Sequence, residues 1–174
     1  RLWNLINYIP EDIPLSSNNF SFNNINYNLP NFAFLTSNLN LGGAQQSLIN
    51  LLSHLKINNL PSQLIIANQS NEINLLNHLQ SLAIPYFLPT DSIDVFDITK
   101  NILIYLKQHN INTLLFWNLD AKIKLLLTQT IGHIIKIIDV SPGNYDFENL
   151  LLEKSFFEAT YYSHNDYFNH IHKL

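Results

Sequence analysis

The chain has 174 residues, of which 47% are hydrophobic and 12% aromatic, enough for one sizeable core, so one domain is the expectation. Its net charge of -4 rests on few charged residues with no run of lysine and arginine, which argues against a broad nucleic-acid footprint. There is no cysteine for a disulfide framework or thiolate zinc site, no apolar run approaches a membrane span, and no basic region precedes an apolar core, so a protein of the cytoplasm, at most peripheral to a membrane, is expected.

Residues 1–30 read as an irregular extension. Pro10, Pro14 and Pro30, with the stretch SSNNFSFNNINYN, argue against a long helix, although a short one is expected near Leu2 to Tyr8. Trp3, Leu5, Ile6, Tyr8, Phe20, Phe22, Ile25 and Tyr27 are too apolar for a free linker, so this segment should lie against the domain or a neighbour. The chain starts at Arg1 and contains no methionine, and a piece of a longer polypeptide is therefore expected. Asparagine is abundant but interleaved with periodic apolar residues, and it is given no functional weight as a class.

The domain proper spans 31–174. Phe32, Ala33, Phe34 and Leu35 form an apolar run without alternation, which suits a central strand covered on both faces. After Gly42 and Gly43, residues Ala44, Leu48, Leu51, Leu52 and Leu55 recur at the spacing of one helical face. The two glycines thus stand where a loop meets a helix N-terminus. Unpartnered N–H groups and the positive end of the helix dipole meet an anion there, and glycine lets a phosphate approach without a Cβ in the way. A plain steric role for the glycines is the alternative.

Gln63 to Ala67 reads as the second strand, followed by a helix that Asn71 can cap, with Ile73, Leu76, Leu79 and Ala83 inward. Ile84 to Leu88 is a short third strand, whose Pro85 fits a strand start or sheet edge. A helix from Ser92 or Asp94 to His109 carries Val95, Ile98, Ile102 and Tyr105 or Leu106 on one stripe. Asp91, Asp94 and Asp97 cluster at its start as helix-starting residues rather than as a metal site. Thr113 to Trp117 is the fourth strand, Asp120 to Thr130 the next helix, and His133 to Val140 the fifth strand. A helix from Tyr145 to Phe157, an apolar step at Thr160 to Ser163 and a helical segment from Asn165 complete the chain.

Strands alternating with helices require crossovers between parallel neighbours, so a Rossmann-like, doubly wound α/β sheet of about six strands is expected, with helices on both faces. Its ligand crevice lies beyond the strand carboxyl ends, where strand order reverses. Three stretches should converge there: the loop Ser37 to Gly43, Asn118-Leu119-Asp120, and Asp139 to Asn144 with Ser141. Asp139, Ser141 and Asn144 can equally be ordinary turn formers, since Ser-Pro-Gly-Asn is a strong turn sequence by itself. His164, His170, His172 and Asp166 lie close in sequence, but His170 and His172 point to different sides of a helix, so no metal site is assigned. GxSxG, HExxH, a P-loop lysine and a full GxGxxG are all absent.

The run FLTSNLNLGGAQQSLINLLSHL resembles the opening of the family 4 glycosyltransferases, a strand, a loop ending in Gly-Gly-Ala, a polar pair and a leucine-rich helix. The likeness extends to INTLLFWN as a fourth strand, HIIKIIDVSPG as a fifth, and ATYYSHNDYFNHI as a last strand bearing Ser163 and its following helix. Gln45 and Gln46 stand where the family has an acidic and then a basic residue, and Asn118 and the Asp139 region stand where many members carry a histidine. The resemblance implies the N-terminal, acceptor-side half of a GT-B enzyme, with a C-terminal donor-binding domain absent from this chain. It further implies retaining, metal-independent transfer of a sugar from a nucleotide diphosphate sugar to a glycan or glycoconjugate, without a cofactor. Gly42, Gly43, Asn118, Asp139 and Ser141 are the expected donor-phosphate or substrate contacts, and no catalytic residue is assigned. A non-catalytic Rossmann-like binding module is the second expectation.

Overall fold

The computed structural model describes residues 32–40, 42–60, 62–68, 73–89, 93–140 and 164–172. Among these, β1 (Phe32–Thr36), β2 (Gln63–Ile66), β3 (Tyr86–Phe87), β4 (Thr113–Phe116) and β5 (Lys136–Asp139) alternate with α1 (Gly43–Ile57), α2 (Ile73–Ser81), α3 (Val95–Gln108) and α4 (Ala121–Ile131), and α5 (His164–His170) follows. Every strand pairing is parallel, in the order β3-β2-β1-β4-β5. This is the expected Rossmann-like α/β sheet, with five strands among the described residues. The extension 1–30, the helix expected at 145–157, and Asn71, Asp91, Ser141, Asn144 and Ser163 lie outside them.

The unalternating apolar strands separate two cores. Phe34, Leu64 and Ile66 pack with Leu48, Ile49, Leu52, Leu75 and Leu79 beneath α1 and α2. Ala33, Leu35, Ile65, Leu114 and Phe116 pack on the other face with Ile98, Ile102 and Tyr105 of α3 and Ile123 and Leu127 of α4. Leu48, Ile49 and Leu52 are fully buried, which contributes roughly 1.5–3 kcal/mol each. The apolar hold of α1 on the sheet therefore comes from its middle.

Several boundaries differ from those the sequence suggests, and the third strand, expected at Ile84 to Leu88, is confined to Tyr86–Phe87 because the Ile84 N–H still donates to the Leu79 carbonyl at 3.1 Å. On α2, where the Ile73 side chain lies outside the described residues, Leu75 and Leu79 are buried, Leu76 is half-buried against the same core, and Ala83 is exposed. The helix ends at Ser81, so Ala83 lies past it in a left-handed turn with φ 50°. At β5, Ile134 and Ile135 still donate to the carbonyl of Ile131, at 2.8 and 3.0 Å, and the strand cannot begin until Lys136. Pro85 precedes β3 at the sheet edge, where its carbonyl accepts from Leu64 at 3.1 Å. After α5, Ile171 bridges Ile137 in parallel and the His172 N–H donates to the Ile137 carbonyl at 2.8 Å, along the outer edge of β5.

Candidate functional site

The strand order places the reversal between β1 and β4. From β1 the chain winds outward through β2 to β3, then crosses back to β4 and on to β5. A crevice therefore opens beyond the carboxyl ends of β1 and β4, between the loops leading to α1 and α4.

Both loops are tied to the sheet and to each other. The ladder continues past the strands through Trp117 N–H to the Leu35 carbonyl at 2.8 Å and Asn68 N–H to the Ser37 carbonyl at 2.8 Å. The Ser37 hydroxyl oxygen accepts from the Asp120 N–H at 2.6 Å, and the Trp117 indole N–H donates to the Ala44 carbonyl at 2.8 Å. Leu39 is fully buried and anchors the middle of the first loop, while the Asn38 side chain accepts from the Asn40 N–H at 3.0 Å. The crevice floor is thus preorganised by bonds that a ligand need not supply.

The helix N-termini differ in how they are closed. Asp94 caps α3 by accepting from the Phe96 N–H at 2.8 Å, and Asp120 caps α4 by accepting from Lys122 at 2.9 Å and Ile123 at 3.3 Å. On α1 the cap is Gly42, which has no side chain to offer, and the first turn holds no acidic residue. Its first helical bond is Gln46 N–H to the Gly42 carbonyl at 3.0 Å. The N–H groups of Gly43, Ala44 and Gln45 therefore point out of the helix at the switch point, with no partner among the described residues.

The steric explanation for the two glycines is weak at Gly43. A Cβ there would meet nothing within 4 Å, and no glycine among the described residues has a positive φ. Packing and backbone conformation would both admit a larger residue. What glycine leaves open at Gly43 is access to the backbone. At Gly42 a Cβ would lie 2.8 Å from Gln45 Oε1, so that amide is folded over the helix start. Gln45 is 7% exposed, and its side chain makes no hydrogen bond among the described residues. In the sequence Gln45 stands out only as a lost ion-pair partner of the resembled family. Its position three residues past the cap, where a side chain can reach back to the helix start, was the available signal.

Of the expected contacts, the structure brings Gly42, Gly43 and Asn118 to the crevice. Asn118 has φ 50°, a left-handed conformation that asparagine tolerates better than most residues, so its identity has a backbone cause. Asp139 stands at the carboxyl end of β5, one strand further out. Its Oδ2 accepts from Lys124 Nζ at 2.9 Å and from the Tyr167 hydroxyl, in surroundings that leave the Lys124 and Asp139 side chains 4% and 2% exposed. Burial pulls the Lys124 ammonium below the usual lysine range, against the opposing pull of the Asp139 carboxylate. That oxygen therefore joins α4 and α5 to the sheet. Ser141 is outside the described residues. His54, His78, His109 and His133 all lie at the helix ends facing the amino ends of the strands, away from the crevice.

The fold and this crevice define a Rossmann-like α/β domain with an open helix N-terminus at its switch point. Comparison with family models, curated proteins and solved structures finds no match.

Proposed function

We propose that the chain is the acceptor-side half of a cytoplasmic GT-B glycosyltransferase, which transfers a sugar from a nucleotide diphosphate sugar to a glycan or glycoconjugate with retention of configuration and without a metal. The observation that carries this reading is the N-terminus of α1, which stays uncapped at the switch point while a carboxylate closes both α3 and α4. An anionic diphosphate oxygen suits that end of the helix, and charge growing on the leaving diphosphate would be stabilised there more than in the ground state. Gly42 and Gly43 supply backbone approach, Gln45 an amide, and Asn118 the opposite wall.

No arginine follows Gly42 in the sequence, and Lys124 is committed to Asp139. Without a clamp of arginine and lysine this half should hold a nucleotide diphosphate sugar no more tightly than about millimolar. Calorimetric and amide-shift titration with uridine, guanosine and adenosine diphosphate sugars is the test. Weak binding that perturbs 42–46 and is lost in Gly43→Val supports the reading. Low-micromolar binding would place the donor site in this half and overturn the assignment.

A second reading, a non-catalytic Rossmann-like binding module, is favoured by the Asp139 oxygen held by Lys124 and Tyr167 and by the four histidines at the far end of the sheet. Binding of nucleotide without turnover by the full polypeptide would select it.

A further inference from the structure

The starts of α1 and α4 are tied crosswise over the switch point. Trp117, just past β4, bonds the Ala44 carbonyl in the first turn of α1, while Ser37, just past β1, accepts from the backbone of Asp120 at the cap of α4. β1 and β4 are paired neighbours, about 4.8 Å apart. Both helix starts therefore stand over adjacent strand ends, yet they differ in polarity.

At α1 the open groups are backbone N–H donors, and the side chain beside them is an amide that has lost water without gaining a partner. Gln45 is 7% exposed, is folded over Gly42, and makes no side-chain hydrogen bond among the described residues. Burying an amide in this way costs free energy that a ligand oxygen at the same helix start would return.

At α4 the open groups are a hydroxyl and a carboxylate oxygen. Asp120 uses Oδ1 for both capping bonds, from the Lys122 N–H at 2.9 Å and the Ile123 N–H at 3.3 Å. Its Oδ2 has no hydrogen-bond partner among the described residues, and the residue is exposed. Ser37 is half-buried, and its oxygen already accepts from Asp120 at 2.6 Å, so its own O–H has no acceptor among the described residues. Accepting that backbone N–H also polarises the hydroxyl into a better donor. The Asp120 carboxylate repels a second anion at this place, whereas a neutral hydroxyl can accept from Ser37 and donate to Asp120 at once.

We propose that Ser37 and Asp120 are the sugar contact of this crevice, holding a hydroxyl of a sugar whose phosphate lies at the start of α1. The proposal rests on α1 being an anion site and names what lies beside the anion, a neutral ring bearing hydroxyls. The ring is linked to the phosphate because the two helix starts meet over one pair of strands.

Titration calorimetry of the whole chain compares methyl phosphate with the 1-phosphates of glucose, galactose and mannose. At least one hexose ester should bind about tenfold tighter than methyl phosphate. Asp120→Asn keeps a good helix cap, and it should cancel that gain while leaving methyl phosphate bound as tightly or more tightly, since a negative charge is gone. Ser37→Ala should also cancel the gain, and Ser37→Thr, which keeps the hydroxyl, should retain it. Methyl glucoside, a sugar without phosphate, should give no detectable heat, and binding as tight as that of the hexose ester would overturn the link between ring and phosphate. Failure of methyl phosphate to bind the wild type would overturn the anion reading and this proposal with it. If methyl phosphate binds and Gly43→Val abolishes that binding, two results would overturn the sugar contact alone: no gain from any hexose, or an equal weakening of both ligands by Asp120→Asn at unchanged circular dichroism.

Discussion

Asn59, Asn110 and Ala83 do the same work after three different helices. Each has a positive φ, 55°, 51° and 50°, and in each case the next residue donates back to the helix, Leu60 to Leu55, Ile111 to Leu106 and Ile84 to Leu79. This is a left-handed helix cap, usually made with glycine. The chain has only four glycines, and none among the described residues has a positive φ, so asparagine fills the role, a positional meaning that composition could not reveal. Ala83 lacks the compensation of asparagine, and its Cβ costs about 1–2 kcal/mol in this conformation. Ala83→Gly should therefore raise stability by about 1 kcal/mol, read as a higher urea midpoint at unchanged slope. A lower midpoint would show that the strain is absent. Gln45 makes a second prediction at this scale. Gln45→Glu places a carboxylate over the start of α1 and should add about 0.3–1 kcal/mol through the dipole. The same charge should weaken inorganic pyrophosphate binding about tenfold or more, by occupying the helix end and repelling the anion. A gain in melting temperature with unchanged pyrophosphate affinity would remove Gln45 and the helix end from the site.

Among the elements, α4 and α5 depend on a bond network that adjacency in sequence cannot reveal. Lys124 lies fifteen residues before Asp139 and Tyr167 twenty-eight after it, yet all three meet at the end of β5. Lys124→Met leaves the buried carboxylate with its ammonium partner removed and should cost about 3–5 kcal/mol. The double variant Lys124→Met with Asp139→Leu should cost distinctly less, because no charge is then stranded. Urea unfolding of the single and double variants reads the difference, and additive losses would deny the coupling. The sequence showed the starts of β1, β2 and β4, the amphipathic helices and the glycine junction because each is a local pattern. It could not show that Asp139 faces a lysine, that Leu75 is buried more deeply than Leu76, or that Ile134 stays tied to α4, since tertiary contacts and a helix end decide these.

The molecule as a whole is a parallel sheet covered by helices on both faces, and the aromatic stack near the end of α3 makes the hold of that helix on the sheet depend on pH. Phe87 and Tyr105 are stacked with centroids 4.3 Å apart, and His109 lies 4.3 Å from Tyr105 on its other neighbour in the helix. The Tyr105 hydroxyl donates to Gln63 Oε1 at 2.7 Å, joining α3 to β2. Burial lowers the pKa of His109 from its ordinary 6.5 and raises that of Tyr105 from its ordinary 10.0. For His109 the unfolded chain takes up its proton first as pH falls, so its contribution is present above about 6.5 and is lost as pH falls through the lower folded value. For Tyr105 the unfolded chain loses its proton first as pH rises, so its contribution is present below about 10 and is lost on the way up through the folded value. Lys124, lowered by burial, gives a slope of the opposite sign to Tyr105 below its ordinary 10.5, so the alkaline arm is best read as a difference between variants. Urea midpoints should fall from pH 7 toward 5 more steeply in the wild type than in His109→Gln. Above about pH 10 they should fall more steeply in the wild type than in Tyr105→Phe, which starts lower for leaving the Gln63 amide without its donor. Parallel profiles for wild type and His109→Gln on the acid side would show that this stack does not set the acid limit.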